Sequence, residues 1–392
     1  MNSDDNKYMA ESIINAIESV IGPPPVKLHE PLFQGNEWLY LKDCLDSNYV
    51  SSVGKFVEKF EKSIANYTGA KYAVAMVNGT SALHIALLIA NVKPKDEVLV
   101  PALTFIATAN AITYCGAIPH FIDSESTTFG IDPLKLLIYL KNIAKVQNGL
   151  CINKNSGRVI KALIPMHVFG HPSNLRALID ISNEFNIELI EDAAESLGSL
   201  YGGRHVGTFG KIGVLSFNGN KIITTGGGGA ILTNNAEIAF KAKHLSTTAK
   251  TSHLWEYDHD SVGYNYRMPN INAALGCAQI ENISTLLELK RKLTQNYSNA
   301  FNDVDGCKLK LEPENCKSNY WLQTIVLNAS NMELRNEILR KINYHGYMAR
   351  PVWNLLNRIN HFKKFPMMDL SGAEDLEKRI INIPSSSIIA ND

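Results

Sequence analysis

A lysine in a short, glycine-bounded loop is the residue of this sequence that is best placed for covalent chemistry. Lys221 follows the mostly apolar run 214–217 and the turn residues 218–220, and the four glycines 226–229 come shortly after it. Such a loop can hold a lysine away from water, where the neutral amine is favoured and attacks carbonyl groups. Most lysines are solvated surface groups and a glycine run can be a flexible turn, so Lys221 indicates this chemistry only together with other residues.

An acidic residue comes at the end of another predicted strand. Asp192 lies within the sequence E-D-A-A-E of residues 191–195. A carboxylate buried there is costly unless a cation lies beside it, and a protonated pyridine nitrogen is a suitable cation. The alanines next to Asp192 leave room for a flat ring. Asp192 could instead cap the next helix, and these residues alone do not decide between the two interpretations.

Small residues and hydroxyl groups follow the first predicted strand, in the segment Asn78-Gly79-Thr80-Ser81. Backbone N–H groups at the start of a helix, together with the helix dipole, attract phosphate. This segment is therefore a candidate phosphate site, and Ser216, at a later strand end, could reach the same anion. The alternative is an N-cap at Thr80 or Ser81 after a glycine turn, which is favoured when the segment is taken alone.

An aromatic residue, Phe105, comes just past the second predicted strand. It could stack on a planar ring, although an aromatic residue in this position is more often part of the core. Ligands of open α/β sheets bind at the carboxyl ends of the strands. The phosphate cradle, the aromatic, the acid and the lysine occur there in chain order, and pyridoxal 5'-phosphate (PLP) requires these four contacts. The sequence therefore predicts a PLP site with Lys221 and Asp192 as its catalytic residues.

The segments around these residues alternate between strand and helix patterns. Short apolar runs predict strands at 72–77, 97–100, 118–122, 162–166, 188–190, 214–217 and 230–232. This alternation is typical of a doubly wound, mostly parallel sheet covered by helices. After about residue 283, helices at 283–299 and 333–345 flank a strand at 321–327. We predict an N-terminal helical extension (1–36), a large PLP-binding α/β domain (37–282) and a small C-terminal α+β domain (283–392).

The composition is that of an ordinary globular protein. Lys plus Arg and Asp plus Glu both total 38, so the net charge is zero and nothing indicates nucleic acid. The strongest apolar run, 82–90, is too short to cross a bilayer, so no membrane partner is expected. The six cysteines form no C-x-x-C pair and the N-terminal residues are polar, which predicts a cytoplasmic protein. His167 and His171 have no acidic or thiol residues nearby in sequence, and no metal site is predicted.

Several segments together resemble the DegT/DnrJ/EryC1/StrS family of sugar aminotransferases, which has the aspartate-aminotransferase fold (PLP fold type I). The matching segments are N-G-T-S-A-L (78–83), P-A-L-T-F-I-A-T (101–108), E-D-A-A-E-S-L-G (191–198), S-F-N-G-N-K (216–221) and G-Y-N-Y-R-M-P (263–269). The sequence is most similar to the branch that makes legionaminic-acid and bacillosamine precursors. That finer assignment depends on residues 28–37, 50–57 and 216–225.

The resemblance implies a role for each reactive residue. Lys221 would hold the cofactor as a Schiff base and then move a proton between the cofactor and the substrate carbon. Asp192 would pair with the pyridine nitrogen, and Phe105 would lie against the ring. The loop 50–54 and the N-terminal segment would help to form the pocket for the sugar nucleotide.

The resemblance also implies how the phosphate of the cofactor is held. Gly79, Thr80, Ser81 and Ser216 would contact it from the same chain. Asn265 would reach the phosphate in the neighbouring subunit, so the active unit would be a homodimer with shared active sites.

The activity implied by the resemblance is transamination from L-glutamate to a nucleotide-linked keto-sugar. The acceptor would be C4 of a 4-keto-6-deoxy-2-acetamido sugar, most simply linked to UDP, and the product a 4-amino sugar for surface glycans. The sequence leaves GDP open as the nucleotide. A sugar dehydratase on the same fold is an alternative, but those relatives carry histidine where this chain has Lys221. A non-catalytic PLP-binding regulator is the other alternative.

One residue departs from the commonest family pattern. Glu195 stands three residues after Asp192, where Gln or His is usual. An ionised carboxylate would be repelled by the phenolate oxygen of the cofactor, so the pKa of Glu195 should be raised. Our hypothesis is that Glu195 is protonated and donates a hydrogen bond to that oxygen.

Overall fold

The computed structural model of the chain describes residues 3–387, with side chains for residues 8–387. Its helices are α1 (Ser3–Ile21), α2 (Glu37–Asp46), α3 (Lys55–Thr68), α4 (Gly79–Ile89), α5 (Ile106–Tyr114), α6 (Pro133–Ile143), α7 (Leu175–Phe185), α8 (Ala236–Ser246), α9 (Asn270–Glu281), α10 (Ile283–Phe301), α11 (Met332–Tyr344) and α12 (Ser371–Glu377). Two short 3₁₀ turns lie at Val168–Gly170 and Leu356–Arg358. Among the residues described, no helix is both long and apolar enough to cross a membrane.

The strands form one large sheet, one smaller sheet and two minor ones. They are β1 (Tyr72–Met76), β2 (Glu97–Pro101), β3 (Ile118–Ile122), β4 (Ala144–Gln147), β5 (Leu150–Asn153), β6 (Ile160–Leu163), β7 (Glu188–Asp192), β8 (Leu200–Tyr201), β9 (Arg204–His205), β10 (Ile212–Ser216), β11 (Gly229–Thr233), β12 (Cys307–Leu309), β13 (Cys316–Lys317), β14 (Gln323–Leu327), β15 (Arg350–Pro351) and β16 (Ile380–Ile383).

The large sheet has seven strands in the order β1-β11-β10-β7-β6-β2-β3. The five strands from β10 to β3 run parallel, and only β11 is antiparallel to both of its neighbours. This topology confirms the predicted doubly wound, mostly parallel sheet. Because β7 and β10 are parallel, with Asp192 opposite Val214, their carboxyl ends meet at one edge. The residues that we predicted to be reactive follow strands that end at this edge.

Periodic apolar residues explain why the covering helices form and where they pack. In α3, Phe56, Phe60 and Ile64 recur at helical spacing and are buried, and the helix ends at Gly69. Gly69 has a φ of +73°, a left-handed conformation that side chains disfavour, so glycine is suited to stopping the helix there. Helix α3 packs against α9 and β1 and thereby covers one face of the sheet edge.

Most predicted boundaries agree with the structure to within two residues, and the small differences have local causes. The exception is the strand predicted at 162–166, which the structure places at 160–163 as β6. Helix α4 begins at Gly79 because Asn78 caps it, accepting a hydrogen bond from the Ser81 N–H at 2.8 Å. Strand β7 continues through Asp192, two residues beyond the apolar run that predicted it. The predicted strand at 321–327 begins only at Gln323, since Trp321 precedes it as an irregular segment.

The N-terminal helix packs into the C-terminal part of the molecule. Its buried residues Ile13 and Ile17 share an apolar cluster with Leu293 of α10 and Ile338 of α11. The four-stranded antiparallel sheet β12-β14-β16-β15 contributes Ile325 to the same cluster. The N-terminal extension thus shares a core with the segment predicted to be the small domain. The predicted domain boundaries themselves remain predictions.

Truncating a core residue of α1 should destabilise the folded chain. Ile17 is fully buried, so Ile17→Ala should lower the free energy of unfolding by about 2–4 kcal/mol. The urea midpoint of unfolding measures this effect. Asn15→Ala, on the exposed face of the same helix, is the matched control and should change the stability by less than about 0.5 kcal/mol. Equal midpoints for Ile17→Ala and wild type would contradict the packing of α1.

Candidate active site

A cleft of about 440 Å³ opens where β1, β2, β7 and β10 end. Seven of the predicted site residues line it: Gly79, Thr80, Phe105, Asp192, Glu195, Ser216 and Lys221. Asn218, Asn220, Trp321 and Trp353 are among the other residues of its wall. The cleft is thus bordered by strand ends of the large sheet and by two tryptophans from the C-terminal part of the chain.

The amine of Lys221 lies inside this cleft. Its side chain is 14% exposed, and its Nζ lies 3.4 Å from Oε1 of Glu195. On another side, the Nζ lies 3.8 Å from the centroid of the Trp321 ring. A lysine so enclosed is positioned to reach a carbonyl group bound in the cleft.

Asp192 is a buried carboxylate with few partners. Its Oδ2 accepts a hydrogen bond from the Thr108 hydroxyl at 2.7 Å, and its Oδ1 accepts one from the Ala194 N–H at 3.2 Å. Burial raises the pKa of the Asp192 carboxyl, against the opposing effects of Thr108 and the Lys221 ammonium. Among the side chains described, those of residues 8–387, no cation lies close enough to form a salt bridge with it. Asp192 therefore has the unmet need for a cation that a protonated pyridine nitrogen would satisfy.

The first turn of α4 supplies a cradle for an anion. The first turn of a helix leaves its N–H groups without intrahelical acceptors, and Asn78 caps only that of Ser81. The N–H groups of Gly79 and Thr80 remain available at the wall of the cleft. A Cβ at Gly79 would stand 3.1 Å from the Cβ of Ser216, so glycine allows the helix start to pack closely on the end of β10. The cradle, Asp192 and Lys221 together fit the phosphate, ring nitrogen and aldehyde of PLP.

Glu195 is the third ionisable group of the cleft. Its side chain is 2% exposed, and its Oε2 accepts a hydrogen bond from the Phe169 N–H at 2.9 Å. Burial raises the pKa of the Glu195 carboxyl to about 7, although the Lys221 ammonium and the Phe169 N–H lower it. The direction of this shift agrees with the hypothesis that Glu195 takes up a proton.

Two predicted site residues lie outside the cleft. Ser81 is buried in α4 and does not line the wall, and its N–H is already taken by Asn78. Asn265 is exposed and pairs with Thr247 in an isolated bridge, away from the residues that line the cleft of its own chain. Asn265 therefore makes no part of the cleft wall in its own chain, and its predicted contact with the phosphate in a neighbouring subunit stays a prediction.

The structure decides between several interpretations that the sequence left open. Asp192 does not cap a helix, because turns follow β7. The cap of α4 is Asn78, so the alternative caps Thr80 and Ser81 were wrong. His167 contacts Glu191 at 3.2 Å in the buried core, and no group of potential metal ligands occurs in the described part of the chain.

Sequence reasoning missed the residues that support the cleft from a distance. Thr108 lies one helical turn into α5, and a hydroxyl three residues after Phe105 is a weak signal for a contact with Asp192. Trp321 and Trp353 follow no recognisable pattern, and they lie 100 and 132 residues after Lys221 in the chain. Only the three-dimensional fold brings them to the cleft.

Known proteins are similar to this chain over almost its whole length. The DegT/DnrJ/EryC1/StrS aminotransferase family matches residues 33–392. The GDP-perosamine synthase of Escherichia coli O157:H7 is 35% identical over 369 residues, which cover 94% of this chain and 95% of that protein. The GDP-perosamine synthase of Caulobacter vibrioides is 34% identical over 366 residues, or 92% of this chain and 93% of that protein.

A solved structure supports the same fold. The PLP form of Spr1654 from Streptococcus pneumoniae has a TM-score of 0.82 to this chain, at 24% identity, and the match covers 93% of each chain. At this identity the likeness bears on the fold alone. It confirms the predicted aspartate-aminotransferase-like architecture.

The raised pKa of Glu195 predicts a pH-dependent stability of the protein without cofactor. The carboxyl titrates near pH 4.5 in the unfolded chain and near pH 7 in the folded chain, so the folded state loses stability as the pH rises through this window. Glu195→Gln removes this loss. Its unfolding free energy relative to wild type should rise between pH 4.5 and pH 7, by about 3 kcal/mol at most, as measured by thermal melting.

A second carboxylate provides the control for this measurement. Glu281 accepts hydrogen bonds from Asn36, Tyr40 and Lys59. Despite partial burial, these contacts lower the pKa of Glu281, so Glu281→Gln should show a constant stability difference from wild type above pH 5. If Glu195→Gln were equally independent of pH, Glu195 would already be ionised at pH 5 and the hypothesis would be wrong.

Proposed function

Because the chain belongs to the DegT/DnrJ/EryC1/StrS family of PLP-dependent sugar aminotransferases, we propose that it transfers the amino group of L-glutamate to C4 of a nucleotide-linked 4-keto-6-deoxy-2-acetamido sugar. The product is a 4-amino sugar for surface glycan synthesis. The observation that carries the proposal is the enclosure of the Lys221 amine and the Asp192 carboxylate in one cleft beside the free N–H groups of α4.

Each of these groups has a separate task. The cofactor, when bound, supplies an electron sink for negative charge at the reacting carbon. Asp192 keeps the ring nitrogen protonated, because a buried carboxylate favours a cation beside it. The Lys221 amine binds the aldehyde and, once released, carries the proton to and from the reacting carbon. The N–H groups of Gly79 and Thr80, with the Ser216 hydroxyl, hold the phosphate, and Phe105 lies against the ring.

Glu195 takes the place of the neutral side chain that is usual at this position. We propose that it is protonated when the Lys221 amine is engaged, and that it then donates a hydrogen bond to the phenolic oxygen of the cofactor. The raised pKa of the carboxyl supports this role, because a value of about 7 makes the proton available near neutral pH.

The identity of residue 221 separates transamination from its nearest rival. Dehydratases on this fold resemble the present sequence but carry histidine at this position, and this chain has Lys221. A lysine can return the proton to the reacting carbon as an amine, which transamination requires. A purely regulatory PLP-binding protein would give no amino sugar in the assay described below.

The proposal leaves two candidates, UDP and GDP, for the nucleotide of the substrate. The resemblance of residues 28–37 and 50–57 to the legionaminic-acid and bacillosamine branch favours UDP. Two of the relatives compared above are GDP-perosamine synthases, which makes GDP the alternative. The two nucleotides differ in the base, so a direct comparison of substrates decides between them.

A second copy of the chain completes the proposed site. The exposed position of Asn265, outside the cleft of its own chain, supports a role in the site of a partner. Exposed aromatic side chains in the preceding segment, Trp255 at 72% and Tyr257 at 82%, support an interface there. We therefore propose a homodimer with shared active sites.

Purified protein with PLP and L-glutamate should convert a UDP-linked 4-keto-6-deoxy-2-acetamido sugar into its 4-amino product. The product is detected by mass spectrometry, and NMR gives the configuration at C4. Lys221→Ala should lose at least about a thousandfold in rate, because the covalent and proton-transfer roles of the amine both disappear, while its circular dichroism spectrum remains that of the folded protein.

The same assay distinguishes the alternatives. Faster conversion of the GDP-linked sugar would replace UDP by GDP and leave transamination intact. Loss of water from the sugar without amine formation would favour the dehydratase. Normal amine formation by Lys221→Ala would refute the proposed role of Lys221.

Mixing two inactive variants should restore activity if Asn265 serves the partner subunit. A dimer of one Lys221→Ala chain and one Asn265→Ala chain contains one site with both residues intact. Random exchange makes half of the dimers mixed, so about a quarter of wild-type activity should return. The two variants are unfolded together, refolded and assayed.

The controls are each variant refolded alone, which should remain inactive. If Asn265 acted within its own chain, no site in the mixed dimer would be intact and no activity would return. That outcome would refute the shared site and leave the proposed reaction untouched.

A further inference from the structure

Two groups of the cleft wall surround the amine of Lys221. The Nζ is held between the carboxylate of Glu195, at 3.4 Å, and the face of the Trp321 indole, at 3.8 Å from the ring centroid. A carboxylate and an aromatic face both favour an ammonium group. The pair therefore forms a site for the charged side chain of Lys221.

Hydrogen bonds fix Trp321 through its indole N–H and through its backbone. Its Nε1–H donates to the carbonyl of Asn220 at 2.6 Å, and its backbone N–H donates to Oδ1 of Asn319 at 2.9 Å. Its carbonyl accepts from Lys290 at 2.8 Å and from the Ser385 hydroxyl at 3.0 Å. Because Asn220 directly precedes Lys221, the indole is attached to the same loop that carries the amine.

The side chain of Asn319 connects the two walls of this site, Trp321 and Glu195. Asn319 accepts from the Trp321 N–H through its Oδ1, and its amide donates to the carbonyl of Glu195 at 2.9 Å. The same amide also donates to the carbonyl of Leu197 at 2.9 Å. Asn319 is 1% exposed, so the bridge is shielded from water. The spacing between the carboxylate and the indole is thus set by the fold.

A buried lysine anchors Trp321 from behind. Lys290 is fully buried, and its amine donates to the carbonyl of Trp321 and to the hydroxyl and carbonyl of Ser385. None of the carboxylates in the side chains described for residues 8–387 is its partner. Burying a lysine amine costs free energy that its hydrogen bonds must offset. Here these hydrogen bonds hold the segment that carries the indole.

We propose that Trp321 and Glu195 form the resting place of the Lys221 ammonium, the position that this side chain takes whenever its amine is not bonded to the cofactor. Trp321 is then a catalytic residue, since its ring touches the reacting Nζ. Trp321 keeps the Lys221 amine within the cleft from its release by the cofactor until it bonds to the cofactor again. The inference rests on the proposed role of Lys221 as the group that binds the cofactor.

Trp321 could instead serve only as an apolar cover that excludes water. The two roles differ in their dependence on the electrons of the ring. A cover depends on size, whereas attraction of an ammonium depends on the negative face of the indole. Fluorination withdraws electrons from the ring and changes its size little, so it separates the two roles.

The experiment measures how fast acetic anhydride labels Lys221 in the apoprotein. Protein is made with tryptophan, 5-fluorotryptophan, or a difluoro or trifluoro analogue, and mass spectrometry gives the labelling of each lysine at pH 8. The rate at Lys221 should rise stepwise with fluorine content, by about fivefold in total, as the ammonium is released from the ring. Lys59, whose amine lies 4.2 Å from the Tyr40 ring, is the internal reference and should not change.

Trp321→Phe provides the matched control, because the fluorinated residues Trp38, Trp255 and Trp353 remain in it. In this variant Lys221 should be labelled faster than in wild type, and fluorination should have no further effect. An unchanged rate across the fluorinated wild-type series, or the same rise in Trp321→Phe, would overturn the proposal.

The proposed function is tested apart from this series. Borohydride reduction of the PLP-loaded protein, followed by peptide mapping, shows whether the cofactor is attached to Lys221. A cofactor found elsewhere would refute the role of Lys221 whatever the labelling rates. A cofactor on Lys221 with no effect of fluorination would refute the resting place alone.

Discussion

A buried carboxylate that lacks a cationic partner is the constraint on which this site depends. Asp192 and its neighbour Glu191 are both buried at the end of β7, but they point to different surroundings. Glu191 accepts hydrogen bonds from three backbone N–H groups and contacts His167, and despite burial these contacts lower the pKa of its carboxyl. Asp192 has one hydroxyl and one weak N–H donor, and burial raises its pKa. Glu191 is satisfied by the fold, whereas Asp192 needs a ligand.

The C-terminal part of the chain strengthens the need of Asp192 for a cation, because it shields the cleft from water. Trp321 and Trp353 reach over the strand ends, and the Trp353 ring lies 5.1 Å from Phe169 and 6.4 Å from Phe105. Charges interact more strongly where water is excluded. The electrostatic interactions among Asp192, Glu195 and Lys221 are therefore strengthened by a part of the chain that contributes no charge to the cleft wall.

The sequence predicted what local patterns determine and missed what the long-range fold determines. Alternating strands and helices place Asp192 and Lys221 at strand ends, so both could be assigned from short motifs. Asn78 was recognised as part of the phosphate segment, yet its capping role depends on one side-chain orientation. Trp321 meets Lys221 across a hundred residues of chain, and no spacing rule in a single sequence reports such a contact. Asn265 does not line the cleft of its own chain, so its predicted contact with a cofactor phosphate depends on the proposed second chain.

The charges of the cleft bear on the proposed pairing of two chains. Among the described residues, its lining contains two carboxylates, Asp192 and Glu195, and one cation, Lys221. The cofactor phosphate and a nucleotide diphosphate would add several negative charges, and the dipole of α4 offsets only part of them. Arg267 lies two residues beyond the exposed Asn265, and its buried Nε has no hydrogen-bond partner among the side chains and backbone of residues 8–387. A guanidinium without a bound anion and a cleft with few cations are complementary in charge, which agrees with the proposed pairing of two chains.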